Sequence, residues 1–155
     1  MTAVVLGVGN EDRRDDGIGP AVARAVAAQA IPDLLVTISD GDPATLLDAW
    51  ADMDVAVLVD AIVCDPPRPG TVHRFDSQAL AALSANTTST HGLGLTQALK
   101  LGAVLGRLPR RWVLYAVEVA DVGYGRGLSS ATVDILQPVT SAVLAEVAGA
   151  QRRTW

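Results

Sequence analysis

Apolar runs of strand length alternate with stretches of helical period along this chain. Ala3–Val8 (AVVLGV) is continuously apolar and ends at Gly9-Asn10, as expected of a strand buried on both faces of a parallel sheet. From Gly17 the spacing predicts a helix, with Pro20 in its first turn, Ile18, Val22, Val26 and Ala30 on one side, and Pro32 as its stop. Leu34–Ser39 (LLVTIS) reads as a second strand closed by DGDP, and Pro43 opens a short helix to about Ala51 carrying Leu46, Leu47 and Trp50 inward. Val55–Val63 is a third strand, apolar except for Asp60. TVHRF (71–75) predicts a shorter strand at an edge, and residues 77–84 a helical stretch, followed by the polar loop NTTSTHG. Leu93–Leu105 has an amphipathic helical period with Leu95, Ala98, Leu99 and Ala103 facing in. Trp112–Val119 is the last strand, ADVGYGRG a glycine-rich loop, and a closing helix is capped by Ser129 or Ser130 and broken or kinked at Pro138. This alternation predicts an α/β fold, a three-layer αβα domain on a mostly parallel sheet.

Composition narrows the function. The 155 residues suit one domain, 1–155, with one core; half are apolar and 19% are charged, so the chain is not of disordered type. The net charge of −5 argues against nucleic acid and anionic membranes, which reward basic patches. A single cysteine, Cys64, allows no internal disulfide and suits a reducing compartment. The first apolar run is too short to span a bilayer and has no basic flank, so a soluble, cytoplasmic protein is expected. No coiled-coil heptad is visible, and a monomer is expected.

Sites in open α/β sheets gather at the carboxyl ends of the strands. The polar residues there are Asn10 to Asp16 after the first strand, Asp40 and Asp42 after the second, and Asp60 late in the third. His91 precedes the helix that starts near Leu93. A carboxylate embedded among Val, Leu and Ile needs a partner, a hydrogen bond or a metal, which singles out Asp60; the plain alternative is a strand-end cap. One acid of Asp15-Asp16 is explained as a helix cap and the other is left over. Alone, His91 reads as a surface residue or cap, and His73, inside the edge strand, receives no role. Taken together, Asp16, Asp60 and His91 would form a site suited to a borderline divalent ion such as Zn²⁺ or Ni²⁺, although no short motif fixes it. The turn GVGNEDRRDDGIG is not a dinucleotide fingerprint, because Asp12 stands where the third glycine belongs and its carboxylates would repel a pyrophosphate. There is no G-x-S-x-G elbow, and Cys64 has no histidine adjacent in sequence.

In order, VLGVGNEDRRDDGIGP, SDGDPATLLDAW, VLVDAIV, STHGLGLTQAL and VLYAVEVADVGYGRGLS resemble the maturation endopeptidases of nickel-iron hydrogenases over nearly the whole chain. The resemblance implies an αβα fold on a twisted, five-stranded, mainly parallel sheet. It implies a protease that removes the C-terminal extension of the hydrogenase large-subunit precursor after nickel insertion. The family's metal-binding trio falls on Asp16, Asp60 and His91, and a further important acid on Asp40. The expected metal is nickel carried by the precursor's cysteines, with zinc or cadmium able to occupy the same site. Glu11-Asp12-Arg13-Arg14 departs from the family's pattern, either as a local charge network, as a contact surface for the precursor or as a solvated loop. The alternative from another class is a non-catalytic nickel-binding or chaperone module docking on the large subunit.

Overall fold

The computed structural model describes residues 2–78 and 92–153. Five strands form one sheet in the order β2-β1-β3-β5-β4: β1 (Ala3–Val8), β2 (Leu34–Ser39), β3 (Val55–Ile62), β4 (Val72–Asp76) and β5 (Arg111–Glu118). All neighbours pair parallel except β4, which runs antiparallel to β5 at the edge. β1 and β3 are buried along their entire length, which explains their unbroken apolar sequences.

Helices cover both faces, giving the expected α/β architecture. On one face α1 (Ile18–Ala27) and α4 (Ser130–Arg152) pack Ile18, Val22, Val26, Val139, Val143 and Val147 against the odd-numbered residues of β3 and β5. On the other, Leu46, Leu47 and Trp50 of α2 (Pro43–Trp50) join Leu95, Ala98 and Leu99 of α3 (Gly92–Leu105) over the even-numbered ones. Asp42 caps α2 by accepting the Thr45 N–H at 3.0 Å, with Pro43 at the first helical position.

Several expected details change. α1 stops at Ala27 rather than at Pro32, because no residue from Ala27 to Ala30 is buried and nothing holds another turn on the core. In the last turn of α3 the buried small residue is Gly102, which abuts Leu47 and Leu108, whereas Ala103 is exposed. α4 passes through Pro138 as one helix of 23 residues; the Thr140 hydroxyl donates to the Leu136 carbonyl at 2.7 Å within that stretch. Residues 79–84 of the expected helical stretch, and the polar loop up to His91, lie outside the described residues.

Glu146 fastens α4 to the edge of the sheet. It accepts from Arg74 Nε at 2.6 Å and from the Tyr115 hydroxyl at 2.9 Å, with Arg111 at 3.6 Å. Burial pushes its pKa up, but the bonds from Arg74 and Tyr115 outweigh it and hold the carboxylate below its usual range. Burial, and then Glu146, pushes Tyr115 up to about 12. Glu146→Ala is expected to lower stability by about 2–3 kcal/mol in urea titrations, since it leaves a buried hydroxyl and a guanidinium without their acceptor. The contribution is complete above the unfolded carboxylate value of about 4.3 and is lost as pH falls through the lower folded value. The variant should therefore converge on the wild type in acid.

Candidate active site

The chain crosses from β1 through α1 to β2 on one side, then returns through α2 to β3 on the other side of β1. The crevice between the carboxyl ends of β1 and β3 is thus the switch point of the sheet, where open α/β sheets hold their ligands. Both strongest sequence candidates are there. Gly7 of β1 pairs with Val59, so Asp60 lies level with the end of β1, where the turn carrying Asp16 begins.

That turn is a single 3-10 helix, Arg14–Gly17, rather than the first turn of α1. Neither Asp15 nor Asp16 caps α1, whose N-cap is Gly17. Gly9 makes the turn possible: its φ is 149°, and a Cβ there would collide with the Asp16 carbonyl. The Asn10 N–H donates to Asp16 Oδ2 at 2.8 Å and fixes the carboxylate. Asp15 points elsewhere, accepting from Ser129 N at 2.7 Å and Ser129 Oγ at 2.8 Å at the start of α4. Ser129 is the N-cap by position, but its hydroxyl makes no cap bond to the helix backbone; it donates to Asp15 and lies 3.2 Å from the Thr132 hydroxyl.

Asp16 and Asp60 are 3% and 2% exposed. Asp16 Oδ1 and Asp60 Oδ2 are buried without a hydrogen-bond partner. Burial, and then the nearby charge of Asp16, pushes the Asp60 pKa well above the carboxylate range. Two neighbouring buried acids, each with an open oxygen, are the chemistry of a pair awaiting a cation. Among the described residues no three His, Cys, Asp or Glu side chains are grouped to hold a metal. His91, the third residue expected at a metal site, lies outside the described residues.

Asp40 is not brought into the pair. It is exposed, and its Oδ1 accepts the Asp42 N–H at 3.1 Å in a local turn. Its neighbour Gly41 nevertheless touches α3: a Cβ on Gly94 would stand 2.6 Å from the Gly41 carbonyl. The loop after β2 and the first turn of α3 therefore meet at this rim.

The EDRR segment forms a local charge network. Glu11 pairs with Arg24, Asp12 with Arg126 at 2.9 Å, and Arg14 with Asp121 at 3.6 Å. Arg13 and Arg14 donate to the carbonyls of Val122 and Tyr124. Exposed ion pairs contribute at most about 1 kcal/mol each. The register is set instead by main-chain bonds: Arg14 N to Gly125 O, Gly125 N to Asp12 O, and Asp15 N to Asp121 O. The segment ties the Asp16 turn to the glycine-rich loop, which displays Tyr124 to solvent.

A second polar cluster goes beyond the sequence expectations. Glu118, at the end of β5, is 1% exposed; its Oε2 meets His73 Nε2 at 2.7 Å and Arg68 at 3.4 Å. The sequence does carry a signal for it, since Glu118 interrupts an apolar strand as Asp60 does. His73, Arg68, Cys64, Ile62 and Phe75 line a cleft of about 620 Å³ beyond Asp60, and its lining does not include Asp16 or Asp60.

A doubly wound αβα domain with a buried carboxylate pair at its switch point defines a class of α/β enzyme whose site lies at the carboxyl ends of the strands. The chain belongs to the hydrogenase maturation protease family, whose sequence profile matches residues 20–146. It is 32% identical over 147 residues to the hydrogenase 2 maturation protease of Escherichia coli K12, covering 94% of this chain and 90% of that protein. The structure of the hydrogenase maturating endopeptidase HybD from E. coli superposes with a TM-score of 0.81 at 28% identity, over 97% of this chain and 94% of that one. The nickel-iron hydrogenase maturation protease HybD of Thermococcus kodakarensis gives 0.76 at 27% identity, over 96% and 99%. The chain is accordingly a protease of hydrogenase maturation.

Proposed function

We propose that this protein removes the C-terminal extension of a nickel-iron hydrogenase large-subunit precursor once nickel is in place. The observation that supports this reading best is the pair of buried, unpartnered oxygens on Asp16 and Asp60, in a member of a maturation protease family. Oxygen donors of this kind, completed by the imidazole of His91, suit Ni²⁺ or Zn²⁺. In this reading the nickel is part of the substrate, held by the precursor's cysteines, and Asp16, Asp60 and His91 bind it from the protease side. A divalent ion there neutralises two carboxylates that otherwise repel, so binding is strongest to the metal-loaded precursor. The peptide to be cut is thereby set against the rim of the sheet, and only a finished metal centre is processed.

Purified protease should be given apo and nickel-loaded precursor and the products weighed by mass spectrometry. The loaded precursor is expected to lose its extension at least tenfold faster. Equal cleavage of both forms would sink the nickel-reading model. A loaded precursor bound at unchanged mass would identify a docking module instead.

A further inference from the structure

Tyr124 stands 92% exposed on the glycine-rich loop that follows β5. That loop leaves the carboxyl end of β5 and bonds to the turn after β1. β3 lies between those two strands, so the loop reaches past the end of the strand that carries Asp60. Its main chain is pinned there. Arg14 N donates to Gly125 O at 2.8 Å, Gly125 N to Asp12 O at 2.9 Å, and Asp15 N to Asp121 O at 2.9 Å. Arg14 Nε also donates to the carbonyl of Tyr124 itself at 3.2 Å. The backbone under the ring is thus fixed while the ring stays in solvent. An aromatic side chain held in this way has only two torsions left to order, so it docks at a low cost in conformational freedom.

Two residues further along the loop, Arg126 enters a pocket of about 190 Å³. Arg14 and Arg24 line it too, with Leu128 as an apolar wall and Glu11 as the one acid of its lining among the described residues. Ion pairs to Glu11, Asp12 and Asp121 hold the three guanidiniums, and neither Asp12 nor Asp121 is in the lining. A guanidinium carries five donors, more than these pairs use. Three cations around one carboxylate favour a further anion, on a chain whose net charge is −5. Arg14 and Gly17 are the ends of the 3-10 turn that carries Asp16, so the pocket adjoins that turn. Tyrosine and arginine are also the side chains that most often dominate the energy of a protein interface.

We propose that Tyr124 and the pocket of Arg14, Arg24 and Arg126 form the surface on which the large-subunit precursor docks. An acidic side chain of the precursor enters the pocket, and the tyrosine ring packs against the surface beside it. The identity of the partner rests on the function proposed above. This contact is made by protein surface alone and does not involve the nickel. The pocket selects which precursor is bound, and the carboxylate pair selects whether it carries metal. Binding energy of this kind is the same before and during the reaction, so it lowers KM and leaves kcat alone.

Initial rates of cleavage over a range of nickel-loaded precursor concentrations test this. Tyr124→Ala is expected to raise KM about 30-fold, the scale of an interface hot spot, with kcat and thermal midpoint unchanged. Arg126→Ala should raise KM about tenfold at low salt and by less at high salt, as the loss of a screened charge contact requires. A wild-type KM in either variant overturns the inference and leaves the proposed function standing. A loss confined to kcat overturns it as well, since the loop would then be shaping the Asp16 turn rather than holding the precursor. If the wild type binds loaded precursor without cutting it, the proposed function falls alone. The same rises read as calorimetric Kd then uphold this surface, and wild-type Kd values overturn it. A wild type that neither binds nor cuts overturns both.

Discussion

Asp60→Asn is expected to abolish precursor cleavage while making the metal-free protease more stable. The two effects have one origin. Asp60 is buried beside Asp16, with one oxygen lacking any partner, and both burial and the Asp16 charge disfavour its ionised form. An unfolded Asp titrates near 3.9 and the folded one well above it, so folding takes up a proton between those values. Stability then falls as pH rises from the unfolded value through the folded one, by about 1.4 kcal/mol for each pH unit that separates them. Asn removes the charge at equal size, and its amide can donate to a neighbouring oxygen. At neutral pH the variant's thermal midpoint should rise by several degrees, since about 1 kcal/mol moves a chain of this length by roughly 2–4 °C. The gain should vanish toward pH 4. Added Ni²⁺ or Zn²⁺ should stabilise the wild type, by about 2.7 kcal/mol at a hundredfold excess over Kd, and leave the variant unmoved. Cleavage should fall by at least about 10³-fold, the scale on which losing preorganised charge at a reacting centre is felt. A variant that is less stable without metal, or still cleaves, contradicts the assignment of Asp60.

The layers of the fold are legible because β1 and β3 are apolar throughout, a pattern that only a sheet covered on both faces requires. Asp60 is legible for the same reason, being the one carboxylate in such a strand. Glu118 offers the same signal, but its partner His73 comes from an antiparallel edge strand 45 residues away, and that register is not written in either segment. The end of α1 and the inward face of α3 differ from expectation where alanine and glycine carry the pattern. Small side chains bury too little area to mark a face, and Gly102 rather than Ala103 is chosen by contact with Leu47 and Leu108. Pro138 forecasts a break from backbone chemistry alone, whereas the long apolar stripe of α4 keeps it on the core from Val139 to Ala150. Asp40 sits at a strand end like the others, yet its side chain is taken up by its own loop.

Asp15 and Asp16 are separable only in three dimensions, and the separation leads to the second large effect. Asp15→Ala is expected to lower stability by about 3–5 kcal/mol. Asp15 is fully buried, and its carboxylate accepts both the N–H and the hydroxyl of Ser129, closing a span of 114 residues between the first turn and the last helix. Alanine takes the Asp15 acceptor away from both half-buried donors, leaving the Ser129 hydroxyl only the Thr132 hydroxyl at 3.2 Å, and removes a negative group from the start of α4, where the helix dipole favours one. Asp15→Asn keeps one acceptor oxygen and should cost only about 1–2 kcal/mol. Asp16→Asn should behave oppositely, because Asp16 Oδ1 has no partner to lose and Asn Oδ1 can still accept the Asn10 N–H. Its urea midpoint should equal or exceed that of the wild type, while cleavage of the nickel-loaded precursor disappears. Denaturation and cleavage measured on the two single variants would thus assign neighbouring residues of one sequence pair to different tasks. Asp15 holds the turn against α4, and that hold keeps Asp16 facing Asp60 with an oxygen to spare. Loss of cleavage in Asp15→Ala should therefore be partial at temperatures where the variant remains folded, whereas in Asp16→Asn it should be complete at every temperature. An Asp15→Ala protein as stable as the wild type would show that the Ser129 clamp is dispensable and that the turn is held by its main-chain bonds to Gly125 and Asp121 alone.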